Sequence, residues 1–319
     1  MTREYYSWKE VPEELRDDRD IVKTVIMNYG FDRFIDIPSV FHDDKEIVMT
    51  AAEYQSVLPY CSERFRDDKE VVLAAITLCP EDISFASKRL RDDKEVALKD
   101  VARNGRMLGW FSERLRDDKE VVLAAIGNNP NGICYASERL NNDDDIIWEA
   151  IKCVIDRHIK TGDYVLHLNR LPEKTWENKD MALYIIKNAD NYLFDREKYP
   201  SPYCYLPKRL RDDEEVILAA LTCCGTVLKI VPEKYKNNEL FVTAAIENDA
   251  EAIFYASERL HKDCKLLRLA LSMAKNQRKR EKEVYKNFQP NDIKANLAIY
   301  YKSEIIVRIM EELEELNEN

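Results

Sequence analysis

The chain has 319 residues but only 7 glycines. A phosphate-cradling loop or a dinucleotide fingerprint needs several glycines at close spacing, and none can be assembled here. Long apolar runs are missing as well. The longest, Val71–Ile76 and Val216–Leu221, are about six residues, against the ~20 needed to span a bilayer, so no membrane association is expected. The four histidines (His42, His158, His167, His261) are never three or four residues apart, which excludes a helical zinc pair. The eight cysteines include no CxxC pair and read as reduced thiols of a cytoplasmic protein. The first fifteen residues mix charges of both signs without an apolar stretch, unlike a secretory leader. No GxSxG, HExxH or comparable nucleophile or metal motif is present, so neither an enzyme nor a cofactor is expected.

What is present in quantity is charge and apolar side chains. Forty-five per cent of the chain is hydrophobic and 34% is charged, enough to build a core. The 49 basic and 60 acidic residues leave a net charge of −11, which weighs against wrapping a polyphosphate.

These residues are arranged in a repeat. Arg66-Asp67-Asp68-Lys69-Glu70-Val71-Val72-Leu73-Ala74-Ala75-Ile76 returns as Arg116-Asp117-Asp118-Lys119-Glu120-Val121-Val122-Leu123-Ala124-Ala125-Ile126. Degenerate copies begin at Asp17, Asp43, Asp92, Asn142, Asn178, Asp212, Asn237 and Lys262, mostly 25 residues apart. Two intervals are longer, with irregular inserts at about 155–176 and 191–207.

One unit has a readable grammar. Asp67 with Glu70, Asp92 with Glu95 and Asp117 with Glu120 have the spacing of a capping box with the first residue as cap, predicting helices that start within a residue or two of Asp67, Asp92 and Asp117. The apolar run that follows suits a helix packed between neighbours and stops at Cys79-Pro80, Asn104-Gly105, Asn129-Pro130 and Gly225. A second short segment ends in an aromatic column, Tyr60, Phe85, Trp110, Tyr135, Tyr205 and Tyr255, expected to be buried between units. The next position is Ser62, Ser87, Ser112, Ser137 or Ser257, but Pro207 and Pro232 elsewhere; both residue types suit a helix N-terminus. Each unit therefore reads as a proper helix, a short helix and a single turn.

Such a unit cannot bury its own apolar faces, so stacking is required. The expected fold is all-α: an α-solenoid of ~25-residue units. Residues 1–263 form the array, and 264–319 supply capping helices, including an amphipathic one at Asp292–Leu316.

The runs beginning at Arg66, Arg91 and Arg116, with Ala136-Ser137-Glu138-Arg139-Leu140 and Ala256-Ser257-Glu258-Arg259-Leu260, resemble the repeat family called domain of unknown function 4116. The layout is also similar to variant leucine-rich repeats. The resemblance implies architecture and, by analogy, an interaction role; it brings no catalytic residues.

Function is then expected to be non-catalytic binding of a protein partner by a monomeric scaffold. The insert aromatics Tyr192, Tyr199 and Tyr203 are the candidate contacts, expected on the surface. The alternative is nucleic-acid or other anion binding through a repeat-spaced stripe, Arg89, Arg114 and Arg139, although pairing of these arginines with the recurring aspartates is the simpler reading. The Asp-Asp pairs read as caps rather than metal ligands, and the basic run Lys275–Lys286 as a solvated helix face.

Overall fold

The computed structural model describes residues 8, 11–28, 34–161, 171–188, 201–284, 304–314 and 316, and none of them is in a strand. The chain divides into two compact units, Met1–Lys160 with His167–Pro172, and Thr161–Leu166 with Glu173–Asn319. Each is a stack of the three-part repeat, and the architecture is that of an all-α repeat solenoid.

The first unit shows the repeat most plainly. A helix, Lys69–Leu78, is followed by the 3-10 segment Pro80–Phe85 and the single turn Leu90–Asp92; then come Lys94–Val101, Gly105–Trp110 and Glu113–Arg116, and Lys119–Asn128, Pro130–Tyr135 and Glu138–Asn141. In the second unit the same order runs through Glu214–Cys223, Gly225–Lys229 and Glu233–Lys236, then Glu239–Asn248, Ala250–Tyr255 and Glu258–His261.

The helix is buried on two sides because its apolar run is dense. Val71, Val72, Ala75 and Ile76 are all buried, as are Val121, Val122, Ala125 and Ile126 at the same positions. Each buried Val or Ile is worth ~1.5–3 kcal/mol relative to exposure. The 3-10 segment packs with its own period of three residues per turn. Gly105, Leu108 and Phe111 point inward, as do Pro130, Ile133 and Ala136. Gly105 is required by closeness: a Cβ there would lie 2.1 Å from the Ala125 carbonyl oxygen.

The helix starts one residue later than the capping-box spacing implies. Asp68, Asp93 and Asp118 are the caps, and each side chain accepts hydrogen bonds from the second and third backbone N–H groups of its helix. Asp67 and Asp117 instead terminate the preceding turns Glu63–Arg66 and Glu113–Arg116. The extra turn displaces the frame by one residue and puts Glu70 at the second helical position, where it cannot close a capping box.

The long helix Cys264–Val284 follows the last full repeat. Residues 304–314 are helical, with Ile305, Ile306 and Ile309 buried. The Arg308 guanidinium lies 4.0 Å over the Phe254 ring, and His261 stands 3.5 Å from Glu312. This helix thus packs on the last repeat.

Candidate partner-binding groove

Two faces of the repeat offer functional groups: the charged edge formed by caps and turns, and the row of 3-10 segments.

On the charged edge, recurring lysines, arginines and carboxylates join consecutive units. The first helical lysine reaches forward to the next cap. Lys69 Nζ lies 2.8 Å from both Asp93 and Glu95, Lys94 lies 2.7 Å from Asp118 and 2.9 Å from Glu120, and Lys179 pairs with Asp213 and Glu215. The arginines reach backward. Arg89, Arg114 and Arg139 each donate Nε to Asp67, Asp92 or Asp117 at 3.0 Å and Nη2 to the same residue's carbonyl oxygen. The hydroxyls of Ser87, Ser112 and Ser137 donate to those same three aspartates. These serine bonds, followed by the arginine bonds, hold the three carboxyls below their ordinary values. So the Asp that does not cap a helix clamps the next unit. The three arginines carry balancing carboxylates, which leaves them poor anion receptors. Exposed pairs contribute little individually, and their recurrence fixes register more than it adds stability.

Tyr203 is not on the surface. It is 1% exposed, and its hydroxyl donates to the Arg211 carbonyl at 2.6 Å. The reason lies in the repeat. In regular units the serine N–H supplies the inter-unit bond, as in Ser112 to Arg91 and Ser137 to Arg116. Pro232 stands at that position opposite Arg211 and has no N–H to give. Tyr203 takes its place. The neighbouring carbonyl of Asp212, which an arginine would satisfy elsewhere, accepts from Tyr235 Oη at 2.9 Å because Lys234 replaces that arginine. Tyr203 is therefore a packing residue rather than a partner contact. Tyr192 and Tyr199 lie outside the described residues.

The aromatic column departs from expectation in the opposite direction. Phe85 is 44% and Trp110 48% exposed, and Tyr60, Tyr135, Tyr205 and Tyr255 are half-buried. A period of three buries Ile83 with Ala86 and Leu108 with Phe111, so the residue just before the second of each pair turns outward. Around Trp110 this makes a groove of about 400 Å3, lined by Glu81 of one repeat, Asn104, Arg106, Met107, Gly109 and Trp110 of the next, and Tyr135 of a third. Gly109 keeps it open, since a Cβ there would come within 2.8 Å of the Tyr135 ring.

Close to the groove, in the helix Lys94–Val101, is a buried acid. Asp100 is fully buried, and neither carboxyl oxygen has a hydrogen-bond partner among the described residues. Burial first, and the charge of Glu81 second, push its carboxyl up to about 8, with Arg103 opposing. The equivalent residues are buried and apolar throughout: Ala51, Ala75, Ala125, Ala150, Ala220, Ala245 and Ala270, with Val25 and Ile185 in two less regular units. Aligning the repeats would have exposed Asp100 as the one acid in an apolar, mostly alanine column. The outward aromatics needed the 3-10 period, which a helix-based reading does not supply.

No cluster of His, Cys, Asp and Glu suited to a metal occurs among the described residues, and no described helix is long and apolar enough to cross a membrane. Three segments, 44–91, 93–140 and 213–261, match the family model described as Domain of unknown function (DUF4116). No curated protein and no solved structure matches the chain. The matched segments coincide with the most regular stacks and carry the repeats of this family.

Proposed function

We propose that the chain is a non-catalytic repeat scaffold that binds a protein partner along its row of 3-10 segments. The observation that carries this reading is the groove lined by the exposed Trp110, with Phe85 exposed at the equivalent position of the preceding 3-10 segment. Large aromatics on a rigid support are the residues that dominate binding energy at interfaces. The charged edge is a weaker candidate because its carboxylates and guanidinium groups already satisfy one another. The same pairing argues against nucleic acid on the Arg89, Arg114 and Arg139 stripe. None of the eight cysteines is in a disulfide, which fits a reducing compartment such as the cytoplasm.

The test is site-directed photo-crosslinking in the full chain, in extract of the cells that make it. A photoreactive residue at position 85 should give a discrete protein adduct that Trp110→Ala abolishes, whereas one at position 113 should give none. Adducts formed only from position 113, or an adduct at 85 indifferent to Trp110→Ala, would overturn the assignment. A gel-shift titration at low salt should show no retained DNA or RNA.

A further inference from the structure

We propose that the Trp110 groove receives a cationic side chain, lysine or arginine, from an extended basic segment of the partner. This deepens the reading of the groove as the partner site and rests on it.

The second compact unit shows what the 3-10 face accepts. Lys229 occupies the repeat position of Gly109, and Tyr255 the position of Tyr135. There the Lys229 ammonium lies 5.9 Å from the centre of the Tyr255 ring. The Tyr255 hydroxyl donates to Glu251, at the repeat position of Glu81 and Arg106. One residue before Tyr255, the Arg308 guanidinium covers Phe254 at 4.0 Å. Two aromatic faces on this surface are thus covered by cations from the chain itself. Aromatic faces attract cations because of their ring quadrupole, most strongly for Trp.

In the first unit the corresponding cation is missing by sequence. Gly109 has no side chain to lay against Tyr135, whose ring comes within 2.8 Å of where a Cβ would stand, and both residues line the groove. Its walls keep the features that suit a cation: the indole of Trp110, the ring of Tyr135 and the carboxylate of Glu81. The net charge of −11 favours a basic partner over an acidic one at long range. Arg106 is the charge in the lining that opposes a cation, and this makes the proposal separable from its reverse. If the occupant is cationic, removing Glu81's charge weakens binding and removing Arg106's strengthens it; an acidic occupant reverses both signs.

The test uses fluorescence anisotropy with the full chain and two labelled peptides, one alternating Arg and Ser, the other Glu and Ser. The basic peptide should bind and the acidic one should not. Gly109→Lys, which supplies the groove with its own lysine as Lys229 does in the other unit, should weaken the basic peptide about tenfold, as should Trp110→Ala, the scale of a cation–aromatic contact. Glu81→Gln should weaken it and Arg106→Gln tighten it, each several-fold, while the control Glu239→Gln in the second unit leaves it unchanged. Circular dichroism checks that each variant is folded, and Trp110→Ala serves if Gly109→Lys is not. Preference for the acidic peptide with both charge effects reversed would overturn the proposal while leaving the groove as the partner site. Binding of the basic peptide that ignores Gly109→Lys and Trp110→Ala would also overturn it, showing only attraction to an acidic surface. If no peptide binds while crosslinks from position 85 still depend on Trp110, this proposal falls and the partner site stands.

Discussion

Replacing Asp100 by Ala should stabilise the protein, and the gain should grow with pH. The carboxyl titrates near 3.8 when exposed but near 8 in the folded chain, because burial and Glu81 disfavour its charge. The native state therefore resists ionisation that the unfolded state undergoes freely. Below about pH 4 both states hold the proton and the difference vanishes; as pH rises the unfolded state alone loses it, and stability falls until the folded carboxyl also ionises. At 1.36 kcal/mol for each unit, the penalty is on the order of 4 kcal/mol at neutral pH and roughly 5–6 above pH 8. A further ~1–3 kcal/mol arises at any pH from a buried polar group without partners. Alanine fits, since it fills this position in neighbouring repeats such as Ala75 and Ala125. The clamp carboxylates Asp67, Asp92 and Asp117 have lowered values; their contribution is present above 3.8 and is lost only as pH falls through those lowered values. Urea unfolding of wild type, Asp100→Ala and Asp100→Asn between about pH 5 and pH 9 thus isolates Asp100. The wild-type midpoint should drop across this range relative to both variants. Parallel curves, or a wild type more stable than Asp100→Ala at pH 8, would refute the reasoning.

Asp118→Ala removes a helix cap and should cost ~1 kcal/mol in urea unfolding. Asp117→Ala removes the carboxylate shared by Ser137 and Arg139; its loss should be smaller at high salt, whereas Asp118→Ala, which removes both a cap and the Lys94 pair, should keep the capping part of its loss, because a surface ion pair is screened and a backbone cap is much less so. Tyr203→Phe should cost ~1 kcal/mol by leaving the Arg211 carbonyl without its donor. Pro232→Ser, which restores the serine N–H of the regular repeat, should offset that loss in the double variant, and additive losses would contradict the substitution of one donor for the other.

The stack itself was legible because it rests on features that recur. The apolar run Val71–Ile76, the turn at Cys79-Pro80 and the Ser-or-Pro position each repeat often enough to outweigh local ambiguity, and all reappear in the three-part unit. The cap was misplaced by one residue because Asp67 and Asp68 are chemically identical. Only the turn ending at Asp67 decides which of them faces helix N–H groups. The aromatic column was misread for a related reason. An aromatic next to buried Ala86 or Phe111 satisfies any rule that hydrophobic residues lie inside, and only the tighter 3-10 period turns Phe85 and Trp110 outward. Tyr203 was misread because its hydroxyl answers a proline 29 residues later, a relation that spacing within one repeat does not contain.

The departures from the repeat fall into two physical kinds. Pro232 removes an N–H and Lys234 an arginine, yet Tyr203 and Tyr235 supply donors to the two carbonyls concerned. Such changes leave the stack as well bonded as before and imply nothing about function. Gly109 and Asp100 have no such counterpart. Gly109 leaves an aromatic wall without the cation that Lys229 provides at the same position in the other unit, and Asp100 buries an acid with neither oxygen bonded among the described residues. Both lie in the same repeat, and Glu81 ties them together, lining the groove while its charge acts on Asp100. A cation seated against Glu81 would offset the negative charge that helps keep Asp100 protonated. Filling the groove should therefore ease ionisation of Asp100 and diminish the fall in stability toward alkaline pH. Repeating the pH series with the Arg-Ser peptide present measures this: the wild-type curve should flatten toward that of Asp100→Asn, and the Glu81→Gln protein should show no such response.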